Sequence, residues 1–170
     1  YKRQVSNDRA RTTSLLLQPL SGTMAAAGAQ VFSYAKELSS ATATAASYAL
    51  QLLPGSDETK FKVRFSLGSD TSSEYIQSKY YRATTTNSFS YGKWIHVAVT
   101  YDGLEGANAD SIKIYINGTK QDSLHEINDY EGQPAHIAST MTGRSLFFGS
   151  EQSDNNYSGH MTNFVLFGKQ

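Results

Sequence analysis

Strict alternation of apolar and polar side chains restricts what this chain can fold into more than any other feature. In Phe61-Lys62-Val63-Arg64-Phe65-Ser66-Leu67 every second side chain is apolar. Successive side chains of an extended strand point to opposite faces, so this run buries one face and wets the other, which a helix of period 3.6 cannot do. The segment from Trp94 to Tyr101 repeats the pattern: Ile95, Val97, Val99 and Tyr101 fall on one face, and Trp94, His96, Ala98 and Thr100 on the other. A third run puts Ile112, Ile114 and Ile116 on one face and stops at Asn117-Gly118, whose tolerance of positive φ fits a type I′ hairpin turn. The return strand is expected over residues 119–124. Residues 145–149 and 160–167 read as two more strands, one on each side of a polar loop.

The first third carries weaker signals. Residues 12–17 read as a strand ending at Pro19, and residues 31–35 and 48–53 as two more around a run of Ser, Thr and Ala. A helix over 32–53 competes, because alanine favours helix, but clustered Ser and Thr draw backbone hydrogen bonds away from it. Residues 1–11, with four basic side chains and no period, read as an N-terminal arm or an incomplete edge, leaving 12–170 as a single domain. The chain opens on Tyr1 without a signal-peptide pattern, as a processed chain or a fragment would. Strands that recur every few residues, thirteen Gly, three Pro and 12% aromatic content describe one all-β, antiparallel two-sheet sandwich with little helix.

Charge narrows the function classes. Fifteen Lys and Arg balance fifteen Asp and Glu, so the chain lacks the positive field with which proteins collect phosphates, and nucleic acid is not an expected partner. No apolar run approaches the roughly 18 residues of a membrane-crossing helix, and membrane insertion is not expected. With no cysteine, neither a disulfide framework nor a thiolate metal site can form.

At this point the residues resemble a family. The runs Gly92-Lys93-Trp94-Ile95-His96-Val97-Ala98-Val99-Thr100-Tyr101-Asp102-Gly103, Ile114-Tyr115-Ile116-Asn117-Gly118-Thr119, Leu146-Phe147-Phe148-Gly149-Ser150 and Tyr157-Ser158-Gly159-His160-Met161 look, in that order, like the signature of laminin-G-like and pentraxin-like domains. Val31 to Ala35 and Tyr48 to Leu52 resemble the same family's earlier strands. The resemblance implies a concanavalin A-like jelly roll over about residues 12–168. It places Trp94 in the core, with Phe65, Val97, Val99, Ile114, Ile116 and Leu146. It would also place a full strand before Thr12, which residues 1–11 do not supply, so the N-terminal edge is expected to be completed by a partner chain or by further residues of the protein.

The resemblance further implies a calcium loop, since Glu151, Gln152 and Asp154 resemble pentraxin residues whose oxygens bind that ion. Ser153 interrupts the run and the partner Asp-Asn pair is replaced by Ser39 to Ser47, so the expectation is a solvated loop, or at most one weak calcium, with no cofactor required. Polysaccharide hydrolases of this shape carry carboxylates on alternate positions of one strand, about 5 Å apart. No such pattern occurs here, and His96, His125, His136 and His160 show no triad or ligand spacing, so no enzymatic activity is expected. Tyrosines near strand ends are candidate sugar-stacking groups: Tyr80, Tyr81, Arg82 and Tyr157, with Tyr91 and Tyr130 in similar places. Asn117-Gly118-Thr119 and Asn156-Tyr157-Ser158 match the N-glycosylation acceptor pattern.

These readings converge on a non-enzymatic recognition or adhesion module, lectin-like, that binds a glycan or a protein surface and works outside the cell or at a cell or virion surface. The alternative is a structural or ornament domain of a larger surface assembly such as a virion, tail or appendage, with neighbouring chains as partners. A polysaccharide hydrolase is the minor alternative.

Overall fold

A computed structural model of the chain describes residues 11–20, 28–36, 46–68, 80–102, 111–128, 144–149 and 157–168. The alternating runs form strands. In chain order these are β1 (Arg11–Pro19), β2 (Ala29–Lys36), β3 (Ala46–Pro54), β4 (Lys60–Gly68), β5 (Tyr80–Thr85), β6 (Phe89–Ser90), β7 (Ile95–Tyr101), β8 (Ile112–Ile116), β9 (Thr119–Lys120), β10 (Ser123–Asn128), β11 (Arg144–Phe148) and β12 (Gly159–Gly168). No helix occurs among the described residues. The helical alternative over 32–53 fails because Phe32 of β2 pairs with Leu50 of β3 across an antiparallel ladder.

Two antiparallel sheets result, as expected of a jelly-roll sandwich. The smaller runs β12-β1-β7-β8-β9, and the larger runs β10-β5-β4-β3-β2-β11 with β6 paired to β4. The core lies between them. Leu15 and Leu17 of β1, Val97 of β7 and Ile114 of β8 are buried against Phe32, Leu50, Leu52 and Val63 of the larger sheet. Each such side chain contributes roughly 1.5–3 kcal/mol when fully removed from water. The turn at Asn117 and Gly118 has φ of 51° and 80°, the left-handed pair that the hairpin requires.

Arg11 opens β1, which lies between β12 and β7; among the described residues the outer strands of the smaller sheet are β12 and β9. Residues 1–10 lie outside the described residues. The return strand over 119–124 divides: Thr119 and Lys120 pair with β8, and from Ser123 the chain pairs with β5 in the other sheet. Leu146 is only partly buried. Trp94 is 48% exposed, so it is not a core residue. Strand parity explains this last correction: Ile95 points inward, and its neighbour must point out.

A bulge in β12 sets the layout of the outer face. Val165 pairs with Ser14 and Thr162 with Leu16, so Asn163 and Phe164 both stand opposite Leu15, and Asn163 adopts a φ of 53°. The extra residue turns Phe164 inward, where its ring meets Phe32 at 5.1 Å and Phe148 at 4.9 Å. It keeps His160 and Thr162 beside Gln18 and Leu16.

Leu50→Ala should destabilise the fold by about 2–5 kcal/mol through lost burial and a cavity. Leu124→Ala, at a position 61% exposed, should change stability by less than about 0.5 kcal/mol. Urea midpoints at unchanged slope check both.

Candidate functional site

The outer face of the smaller sheet is built from the second half of each alternation. Thr12, Ser14, Leu16 and Gln18 of β1 stand beside Thr100, Ala98 and His96 of β7, and all seven are half-buried. One end of this face carries an aromatic pair: the rings of Trp94 and His160 stack with centroids 6.4 Å apart and planes 29° apart. His160 sits on β12 directly across from Gln18. Gln18 in turn lies one position beyond Leu17, which pairs with Ile95, so it stands beside Trp94.

Backbone bonds hold this end together. The Gly92 amide donates to the Pro19 carbonyl at 2.7 Å, and the Gln18 side-chain amide donates to the Gly92 carbonyl at 3.0 Å. These two bonds run in opposite directions and clamp the turn that carries Trp94 onto the end of β1. On the other side, the Leu20 amide donates to the Ser158 carbonyl at 3.0 Å, and the Tyr157 hydroxyl donates to the His160 carbonyl at 2.9 Å. Gly159 leaves room for this: a Cβ there would collide with the Gln18 carbonyl oxygen and lie 2.6 Å from the Tyr157 hydroxyl. The two rings therefore stand on a prearranged base.

The sequence-derived candidates are distributed differently. Tyr81 is 1% exposed; its ring packs in the core and its hydroxyl lies 2.9 Å from His125 Nδ1, so it cannot stack on a ligand. The cause is parity, because Tyr81 and Arg82 are consecutive on one strand and face opposite ways. Arg82 is half-buried on the outer face of the other sheet, paired with Ser66 and Glu126. Tyr80 pairs with Gly68 and Asn128 at the end of β5, and its side chain lies outside the described residues. Tyr157 is half-buried, packs against the core and uses its hydroxyl on His160, so it positions the site and does not offer a free ring. Burial pushes its phenol from 10.0 up to about 12, against a smaller opposing effect of a backbone hydrogen bond with Gln18. Tyr91 is also half-buried, 5.2 Å from Phe61. Tyr130, Glu151, Gln152 and Asp154 lie outside the described residues. Among the described residues no three His, Cys, Asp or Glu side chains gather into a metal site.

Pairs separated by long stretches of chain were not visible as spacing. Ser14 Oγ lies 2.7 Å from His96 Nε2, across 82 residues. A Ser-His pair begins to resemble an activated nucleophile, but that chemistry also needs a group orienting the imidazole and donors for an oxyanion. Parity alone could have found Trp94, since it falls in register with His96, Ala98 and Thr100.

A family model of the concanavalin A-like lectin/glucanases superfamily matches residues 7–170. Among solved structures, a native heptameric SAP-like pentraxin from Limulus polyphemus superposes with a TM-score of 0.54 at 15% identity, over 93% of this chain and 63% of that chain. This chain thus spans less than two thirds of the pentraxin's length. An alginate lyase from Pseudomonas aeruginosa gives a TM-score of 0.49 at 10% identity, over 99% of this chain and 68% of its own. No curated protein matches the sequence.

Two outcomes test the geometry. Gly159→Ala should displace Tyr157 and His160 and lower the melting temperature, whereas Gly118→Ala, with open space around its Cβ, should show only the strain of its positive φ. Because the Tyr157 phenol is raised by folding, its stabilising effect is complete below pH 10.0 and should be lost as the pH climbs towards about 12. Tyr157→Phe should flatten that alkaline limb in urea melts taken across the range.

Proposed function

The chain belongs to the concanavalin A-like lectin/glucanases superfamily, and from that premise we propose that it is a non-enzymatic recognition module, lectin-like, binding a glycan or a protein surface outside the cell or at a cell or virion surface. The observation that carries this reading is Trp94, a large ring left 48% exposed at the end of the face where Gln18, His96 and His160 also stand. A ring held in water by backbone bonds loses little freedom when it binds, which is how rigid sites gain affinity. The residues around it can donate, accept and stack, which are the functions of a binding surface. No cofactor is required by this reading.

A second reading, a structural or ornament domain of a larger surface assembly, rests on a different observation. The edge strand β12 has no Lys, Arg, Asp, Glu or Pro between Gly159 and Gly168, and Val165, Leu166 and Phe167 are exposed in sequence, with Phe167 at 57%. Edge strands are usually blunted by charge or proline. The Asn163 bulge is one such device; the last five residues carry none.

Glycan-array binding by the isolated domain, with chelator present, should give hits that Trp94→Ala abolishes. Polysaccharides recovered after incubation should show no new reducing or unsaturated ends. Cleavage of any of them would replace the recognition reading with an enzymatic one. Concentration-dependent self-association without any glycan hit would favour the assembly reading.

A further inference from the structure

Resting on the recognition reading, we infer that the Trp94–His160 end of the smaller sheet is a sugar-binding platform that takes a neutral pyranose, stacked on the exposed part of the Trp94 ring. Three observations select this ligand class. The first is the ring itself. One face of a pyranose presents several C–H groups of slight positive charge, and these fit the negative face of an indole better than they fit water. Trp94 is half-exposed and already ordered by the Gly92 and Gln18 hydrogen bonds, so stacking requires no rearrangement of the turn.

The second is the fringe. The two rows of the sheet at this end hold Gln18 and His160 beside Trp94, and Thr162, Leu16 and His96 in the next row. Gln18 donates one amide hydrogen to Gly92, which leaves its second amide hydrogen and its carbonyl oxygen to face a sugar hydroxyl. A single ring edged by amide, hydroxyl and imidazole suits a ligand with one apolar face and a polyhydroxylated rim. A protein partner would bury a wider surface, on the order of 800 Å² on each side, and apart from Leu16 the side chains of these two rows are polar or aromatic.

The third is charge. Neither row carries Lys, Arg, Asp or Glu: one is Thr162, Leu16 and His96, and the other is His160, Gln18 and Trp94. Lys93 is exposed in the adjoining turn, but a solvated surface cation gives an anionic sugar little to hold. The ligand is therefore an uncharged pyranose. A flat platform with one ring binds a single sugar weakly, at about millimolar affinity, and gains from several copies displayed together.

The chain contains one tryptophan, so emission excited selectively from tryptophan and not from the eleven tyrosines reports on this site alone. The test titrates the intact domain with methyl β-galactopyranoside, methyl β-glucopyranoside and methyl α-mannopyranoside, and with methyl β-glucuronide as the charged control, while following that emission. A saturable change is expected with at least one neutral glycoside and a smaller one, or none, with the glucuronide. In glycan-array or calorimetric measurements, Trp94→Ala should weaken that glycoside at least tenfold, Trp94→Phe less, and Gln18→Leu severalfold, with urea midpoints showing that each variant folds. Array hits that leave the emission unchanged and survive Trp94→Ala would overturn the platform while leaving the recognition reading intact. Tighter binding of the glucuronide would overturn the neutral class. Absence of any glycan hit, with a protein captured through the same face, would overturn this inference and narrow the recognition reading to protein surfaces.

Discussion

Everything on the smaller sheet depends on β1 being paired on both sides. It runs antiparallel to β12 along one edge and to β7 along the other. Its inward side chains, Thr13, Leu15 and Leu17, are buried, and its outward ones support the exposed face. Adjacent strands are about 4.8 Å apart, so the backbones of β12 and β7 are separated by about 9.6 Å. The ring centroids of His160 and Trp94 are 6.4 Å apart, closer than those backbones. Loss of the apolar contacts beneath β1 would therefore disperse the aromatic pair above it. Core and surface site are two sides of one strand.

That dependence also explains which parts were legible in the sequence. Alternation is a local signal, and runs such as Phe61 to Leu67 and Ile95 to Tyr101 show buried and half-buried positions in strict turn. β5 is harder to see, because Ala83, Thr84 and Thr85 are buried without being strongly apolar. Thr85 compensates through hydrogen bonds, accepting from the Val63 amide at 3.1 Å and donating to the Asn87 carbonyl at 3.0 Å, which no hydropathy pattern reveals. The passage from β9 to β10 depends on which sheet offers a partner after Gln121, and that information lies in β5, far away in the chain. Trp94 shows the two kinds of inference in opposition. Family likeness placed it in the core, while its own parity placed it outside, and parity prevailed because a strand cannot bury both faces when only one meets the opposing sheet.

Two surfaces with different chemistry thus lie on the same sheet. At one end, polar side chains frame a single ring whose supporting turn is tied down from both sides. At the other, beyond the bulge, β12 exposes consecutive apolar side chains and an unpaired edge among the described residues. On the proposed reading the first meets a small, partly apolar ligand, and the second, on the assembly reading, meets another strand or another chain. A surface module that both adheres and assembles would need both, and the bulge at Asn163 marks the boundary between them.

The account turns on Trp94 standing in solvent on an ordered base, and the free protein can report this directly. Steady-state quenching of its fluorescence by iodide, compared with quenching in urea, measures how much of the ring water reaches. With the ring 48% exposed, the native protein should show a water-like emission maximum and substantial iodide quenching, about half that of the unfolded chain. A blue-shifted emission that iodide cannot reach would place Trp94 in the core and contradict the outer-face site.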